Sequence, residues 1–234
     1  MIQPPLLRPS NEARSRLYPA RTQFDYIILS DLRDSITRVA RSVRGRVLDY
    51  GCAWEPYKAL FKECVSYEGA DFSDNPYAKW VLDERGQLPK ELTAAFDAVV
   101  STQVLEHVPD VPLYLEECRR VLRPDGHLLL TTHGIWEYHP GPYDLQRWTM
   151  EGLIRLVEGH GFETIHCEAI TTHIRSLLQQ LQLLLRDWRI RGSRALIFIV
   201  NLLSCLCARS ATAGSDRRSL AICYLYFGRK KGYP

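Results

Sequence analysis

The chain has 234 residues, 46% hydrophobic and 24% charged, which excludes a wholly disordered polymer and fits one generous domain with room for an appendage. Its seven cysteines (52, 64, 118, 167, 205, 207 and 223) are scattered without a C-x-x-C pair, which excludes a disulfide framework and a structural zinc site and points to a reducing cytosol. Net charge is +3, but residues 1–46 carry nine Arg against four acids, 47–174 ten bases against 21 acids, and 175–234 eleven bases against two, an acidic body that argues against nucleic acid as a substrate.

The opening MIQPPLLRPS has no basic stretch followed by an apolar core, so no signal peptide is expected. Residues 1–22, rich in Pro and Arg, read as a loose arm, with a single domain over 23–234. Apolar positions 24, 27, 28, 32, 36, 39, 40 and 43 recur at helical spacing up to Gly45. Short strands are expected at 46–50, 66–70, 80–82, 96–101, 127–132, 163–170 and 220–227. Helices are expected at 55–64, at 112–122 and from a Thr149 cap to His160, where Gly161 stops the last. Arg123-Pro124-Asp125-Gly126 is a turn by composition. Strands and helices alternating over short connections predict an α/β fold, a mostly parallel sheet with helices on both faces.

On such a sheet ligands bind beyond the carboxyl ends of the strands. Asp49, Asp71, Ser101 and His133 all fall at or just past strand ends, so four ends converge on one rim. The segment Val47-Leu48-Asp49-Tyr50-Gly51-Cys52-Ala53 ends a strand in a glycine turn, which brings backbone N–H groups close to a ligand. The pattern G-x-G-x-x-G is absent, which disfavours a dinucleotide. Asp71, twenty positions after Gly51, can accept both hydroxyls of an adenosyl ribose, and Asp83 or Glu84 can accept from an adenine amine. Helix caps or loop charges are the plainer alternative for each acid.

The runs GRVLDYGCAWEPYKALF, YEGADFS, FDAVVSTQVLEHVPD and EECRRVLRPDGHLLLTTHG resemble the class I S-adenosylmethionine-dependent methyltransferases, in particular the methyltransferase type 11 group. The resemblance spans residues 45–170, with 220–230 similar to the family's final strand. It implies a Rossmann-like seven-stranded sheet with a reversed last hairpin, and S-adenosylmethionine as cofactor. It implies that Asp49 and Gly51 lie beside the methionine part, that Asp71 holds the ribose, and that Ser101 and Gln103 line the methionine side. Cys52, Ala53 and Phe72 complete the candidate cofactor set. Ala53 stands where the family usually has glycine, which weakens binding if the backbone there needs a positive φ. Asp125 stands at another such position, in a turn.

Methyl transfer from a sulfonium mainly requires alignment, to which a general base adds when the acceptor is a hydroxyl. Candidate bases lie in the run THGIWEYHPGPYDLQRWT, which is similar to an H-x-x-P-x-D-x-x-R run of bacterial methyltransferases of surface-glycan assembly. His139 or His133 takes the proton in this reading, and Asp144 orients it. Alternatively Asp144 and Arg147 form an ion pair that fixes the loop. Glu106-His107 reads as structural or cofactor-adjacent, and the histidine spacing is too irregular for a metal.

Beyond residue 174, Leu177, Leu178, Leu181, Leu184, Leu185 and Trp188 share a helical face, and 195–208 is apolar except for Asn201 and Ser204. Fourteen residues fall short of the ~20 that span a bilayer. This insertion, 174–212, reads as an anionic membrane-surface element over 177–209, a buried lid, or a homodimer interface. The leading expectation is a cytoplasmic O-methyltransferase, peripheral on the inner face of the membrane, acting on a sugar hydroxyl of a surface glycan or glycolipid. Its rivals are an enzyme for a small or lipid-like acceptor, and a non-catalytic methyltransferase-like scaffold.

Overall fold

The computed structural model describes residues 10–72, 75–187, 192–208 and 220–232. The chain opens with α1 (Ser10–Leu17) and α2 (Tyr26–Ala40), then β1 (Gly45–Tyr50), β2 (Cys64–Asp71), β3 (Ala78–Val81) and β4 (Phe96–Thr102). There follow α3 (Val111–Val121), β5 (Leu122–His133), α4 (Met150–Gly159) and β6 (Phe162–Ile170). The chain continues with α5 (His173–Asp187), α6 (Ser193–Ala208) and β7 (Cys223–Lys230).

The strands form one sheet in the order β3-β2-β1-β4-β5-β7-β6. β1 to β5 pair in parallel, and β7 runs antiparallel between β5 and β6. This is the expected Rossmann-like sheet with its reversed last strand. The pleat sends alternate residues of β1 to opposite faces. Leu48 and Tyr50 join a core with α3 and α4, whereas Val47 joins a second core with α2, Tyr57 and Phe61. Both faces are covered, so the inner strands read as apolar runs.

Caps fall where the sequence places them. Thr149 accepts from Gly152 N, and Gly161 takes φ +84° after α4. A further cap, not singled out in the sequence, is Asp110, which accepts from Leu113 N at the start of α3. Leu122 pairs with Phe96 and His127 with Ala98, so the four residues between them bulge out, with Asp125 at φ +60°.

Other expectations are corrected. The helix expected over 55–64 is a single short turn, Lys58–Leu60. Ala53 and Glu55 both take positive φ and Pro56 follows, so the chain cannot enter an α-helix there. The last strand begins three residues later than expected, at Cys223. The arm is not loose throughout: α1 forms within it, and Leu17 is buried in the α2 core. Trp188, residues 1–9 of the arm and 209–212 of the insertion lie outside the described residues.

Candidate active site

The turn after β1 sits against the end of β2. Gly51 N and Cys52 N both donate to Ala70 O, at 2.9 and 3.1 Å. These amides are thus committed to the sheet rather than presented to a ligand, as the sequence had suggested. Gly51 is required for a different reason. It takes φ +79°, and a Cβ there would stand 2.6 Å from Val104 Cγ2. Asp71 closes the turn: its Oδ2 accepts from Ala53 N at 2.9 Å and from Asn75 Nδ2 at 2.8 Å, and its Oδ1 accepts from Phe72 N. Asn75 Nδ2 also donates to Ala53 O. The structure therefore brings Gly51, Cys52, Ala53 and Asp71 together and adds Asn75, which no motif signalled.

Ala53 takes φ +44°, so the condition attached to its missing glycine is met. Ala53→Gly is expected to relieve up to about 1 kcal/mol of left-handed strain, partly offset by the freer unfolded chain. The expected outcome is unchanged or modestly tighter cofactor binding by calorimetry; a clear loss would show that the methyl group is itself a contact.

Asp49 is buried below the turn. Its Oδ2 accepts from Tyr67 Oη at 2.8 Å, while its Oδ1 is buried without a partner. Burial pushes its carboxyl up to about 7, against the bond from Tyr67. Trp54 Nε1, Tyr57 Oη and Asp25 Oδ1 are likewise buried and unpaired. The Arg16 guanidinium of α1 lies 5.5 Å from the Trp54 ring centre. After burial, its charge is among the influences on Tyr57, Asp25, His133 and His139. This residue of the arm thus lies against Trp54 of the turn. Buried polar groups left open are uncommon in a finished fold and mark a place for a ligand's own donors and acceptors.

The remaining cofactor candidates divide. Ser101 is buried and tied, its Oγ donating to Tyr50 O at 2.9 Å and accepting from Tyr114 Oη. Gln103 leans the other way, its Nε2 donating to Thr131 Oγ1 at 3.0 Å and its Oε1 accepting from Cys223 Sγ at 3.7 Å. Asp83 Oδ1 closes its own turn by accepting from Arg85 N and Gln87 N, with Glu84 exposed beside it. Phe72 is an exposed aromatic next to Asp71. Burial holds the Cys52 and Cys223 thiols protonated, so neither is a nucleophile.

The loop after β5 is stapled over the β4 end. Leu145 N donates to Glu106 O, Gln146 Nε2 to Val108 O and Trp148 N to His133 O, and His107 Nδ1 meets Tyr143 O. Asp144 forms a two-pronged ion pair with Arg147 and accepts from His139 N at 2.9 Å. Arg147 holds that carboxyl down to about 2, so it stays ionised. Asp144 therefore braces the loop, as the alternative reading had it.

The two histidines differ. His133 is buried, stacked on Trp136, with Nδ1 3.5 Å from Cys223 Sγ. Its Nε2 lies 3.2 Å from Glu106 Oε1, close but without hydrogen-bond alignment. Glu106 is fully buried, and its Oε2 accepts from Thr132 Oγ1 at 2.9 Å. Both ring nitrogens of His133 thus face protein groups. His139 is exposed, its ring 6.2 Å from that of His133 and 5.7 Å from that of His107. Burial of part of the ring and then the neighbouring His107 lower its pKa, so it is proton-free at neutral pH. Among the described residues no cluster of His, Cys, Asp and Glu fits a metal ion.

Comparison with known proteins accords with this geometry. Residues 21–187 match the family model described as "Methyltransferase domain". A ubiquinone biosynthesis O-methyltransferase of Mesorhizobium japonicum is 32% identical over 134 residues, which cover 47% of this chain and 53% of that protein. The chain thus spans about half the length of that curated relative. A putative methyltransferase from Bacillus halodurans superposes at TM-score 0.55 with 16% identity, covering 87% of this chain and all of that one. Phosphoethanolamine N-methyltransferase 2 of Haemonchus contortus, solved with S-adenosyl-L-methionine, superposes at TM-score 0.52 with 15% identity, covering 94% and 60%. At such identities these structures speak for the fold alone.

The chain belongs to the class I S-adenosylmethionine-dependent methyltransferases, the family of that domain. It is an enzyme, and S-adenosylmethionine is its cofactor, so the scaffold reading is set aside.

Proposed function

We propose that this methyltransferase transfers its methyl group to a hydroxyl on a lipid-linked acceptor, a glycolipid sugar first and a quinone-type phenol second. The observation that carries the reading is His139, a neutral and open imidazole on a braced loop joined to an apolar helical hairpin. Arg186 of α5 grips Glu137 of that loop through both carboxylate oxygens, at 2.6 and 2.8 Å. Tyr138 and Tyr143 expose flat rings on the same loop, which suits a sugar ring with one C–H face. The curated relative's name, ubiquinone biosynthesis O-methyltransferase, supports the phenol.

The residues present fit the cofactor. Asp49 and Asp25 offer unpaired carboxylate oxygens to its ammonium, and Trp54, Tyr57 and Arg16 offer donors to its carboxylate. Asp71 holds the ribose once its present bonds rearrange, with Phe72 against the base and Asp83 or Glu84 at the adenine amine. When bound, the cofactor supplies an electrophilic methyl on a positively charged sulfur. His139 would take the proton of the acceptor hydroxyl, leaving its oxygen to receive the methyl that the cofactor would supply. Glu106, His107 and the Asp144–Arg147 pair hold the loop in place, and burial of His133 excludes water beneath it.

Seven scattered cysteines without a C-x-x-C pair support a reducing cytosol. The apolar insertion supports a peripheral position on the inner face of the membrane. We read 23–234 as one methyltransferase domain, with 174–212 inserted and 1–22 as an arm that closes over the site through α1.

The test is transfer of labelled methyl from S-adenosylmethionine into total lipid and glycan extracts, followed by acid hydrolysis. Label in O-methyl sugars of the lipid fraction is the expected result. Label on an aromatic ring selects the phenol. Label on nitrogen or in water-soluble small molecules overturns the proposal.

A further inference from the structure

The α5–α6 hairpin buries polar side chains beside Leu183, Leu185, Ile197 and Val200. Its inward residues include Gln179, Gln182, Asn201 and Ser204, each 0% exposed. Hydrogen bonds match most of their polar groups, and Gln182 Oε1 is buried without a partner. Gln179 donates to Phe24 O at 2.8 Å and accepts from Ile28 N at 3.2 Å. Gln182 donates to Asn201, which donates in turn to Arg21 O at 2.7 Å and Gln23 O at 3.0 Å. Arg175 joins Asp31 on α2 and donates to Ser204 O at 2.6 Å. These bonds fix the rotation of both helices, so the outward face is a property of the fold.

That outward face is apolar. α5 exposes Ile174, Leu177, Leu181 and Leu184. α6 exposes Leu196, Phe198, Ile199, Leu202, Leu203 and Leu206, the last at 63%. Residues 195–208 contain no Asp, Glu, Lys, Arg or His. A patch of this kind marks an interaction surface rather than ordinary exposure. In the sequence, the following stretch, 209–219, holds no large apolar side chain to lay over it.

We propose that this face docks on an anionic lipid bilayer and lies in its interface. The proposal deepens the lipid-linked acceptor reading and rests on it for its biological sense, although its geometry is independent. One observation favours a bilayer over a second copy, and two more favour lying along the bilayer over crossing it. The sequence from 175 to 234 carries eleven bases against two acids, which attracts an anionic surface and would repel the same region of another copy. α6 has 16 residues, roughly 24 Å at the helical rise, less than the ~30 Å hydrocarbon core. Among the described residues no helix is long and apolar enough to cross a membrane, so the hairpin lies along the surface. Docking also has a direction. Arg186 ties the hairpin to the His139 loop through Glu137, so a docked hairpin holds that loop at the surface where a lipid-linked headgroup stands.

The test is flotation of the purified full chain with vesicles of phosphatidylcholine mixed with phosphatidylglycerol, against vesicles of phosphatidylcholine alone. The expected result is binding to the mixed vesicles at least about tenfold stronger than to the neutral ones. The double variant Ile199→Glu, Leu206→Glu changes two exposed positions, so it is expected to keep its melting temperature and cofactor affinity while losing at least about tenfold in binding. Wild-type protein that ignores both vesicles, or a folded double variant that floats as well as wild type, overturns the proposal. So does a wild-type dimer, seen by light scattering, that the double variant converts to monomers; the face is then a contact between copies. Vesicles without acceptor keep this readout separate from methylation. A chain that floats but methylates no lipid-linked hydroxyl loses the acceptor reading alone; one that methylates but does not float loses the docking alone.

Discussion

Gly51→Ala is expected to weaken cofactor binding by at least about tenfold in calorimetry, with a lower melting temperature. Two effects act at once. At φ +79° an L-residue bears roughly 1–2 kcal/mol of left-handed strain. The new Cβ would stand 2.6 Å from Val104 Cγ2 and 3.0 Å from Cγ1, an overpacking that costs about 1–3 kcal/mol. Relaxation must move either the turn or the segment after β4, and both border the Asp49–Asp71 rim. Val104→Ala in the same chain should restore part of the loss by removing the collision, while the backbone strain persists. Cofactor binding unchanged by Gly51→Ala would mean that the turn does not shape the site.

His139→Ala should lower kcat/KM by about 10²–10⁴-fold with cofactor affinity intact. The proton-free imidazole is the active form. Burial and His107 lower its pKa, so the wild-type rate should rise with pH to a midpoint below the ordinary histidine value and stay level above it. The variant should lack that limb. His133→Ala is a contrasting control, since that ring is buried against Trp136 and Glu106 and its removal should mainly destabilise the fold. Full turnover in His139→Ala would remove the base from the mechanism.

Much of the sheet was legible because buried parallel strands leave apolar runs, as in Val47-Leu48, Ala98-Val99-Val100 and Leu128-Leu129-Leu130. Thr149 and Gly161 marked the bounds of α4 through local chemistry. The turn at 53–56 was legible only at Ala53, through the glycine usual there in the family, since positive φ at Glu55 leaves no signature in residue type. The Gly51–Asp71 pairing was legible from strand ends, but not that Asp71 reaches Ala53 N and Asn75. Ser101 stood at the right strand end, yet its hydroxyl is consumed between Tyr50 and Tyr114. Arg16 carried no pattern at all, because its position depends on how α1 folds back. The hairpin was legible in part. Periodicity located an apolar face, but which face turns inward depended on the backbone groups of residues 21–28 that receive Gln179 and Asn201.

β7, the last of the sheet's strands in chain order, stands inside the sheet rather than at its edge. β6 pairs with β7 and reaches β5 only through it. On a ribosome, β1 to β5 can assemble as soon as they emerge, whereas β6 must wait without a neighbour until Cys223–Lys230 arrives. The two apolar helices are made during that interval, so the nascent chain carries its greasy segment into the cell before the sheet that anchors it has closed.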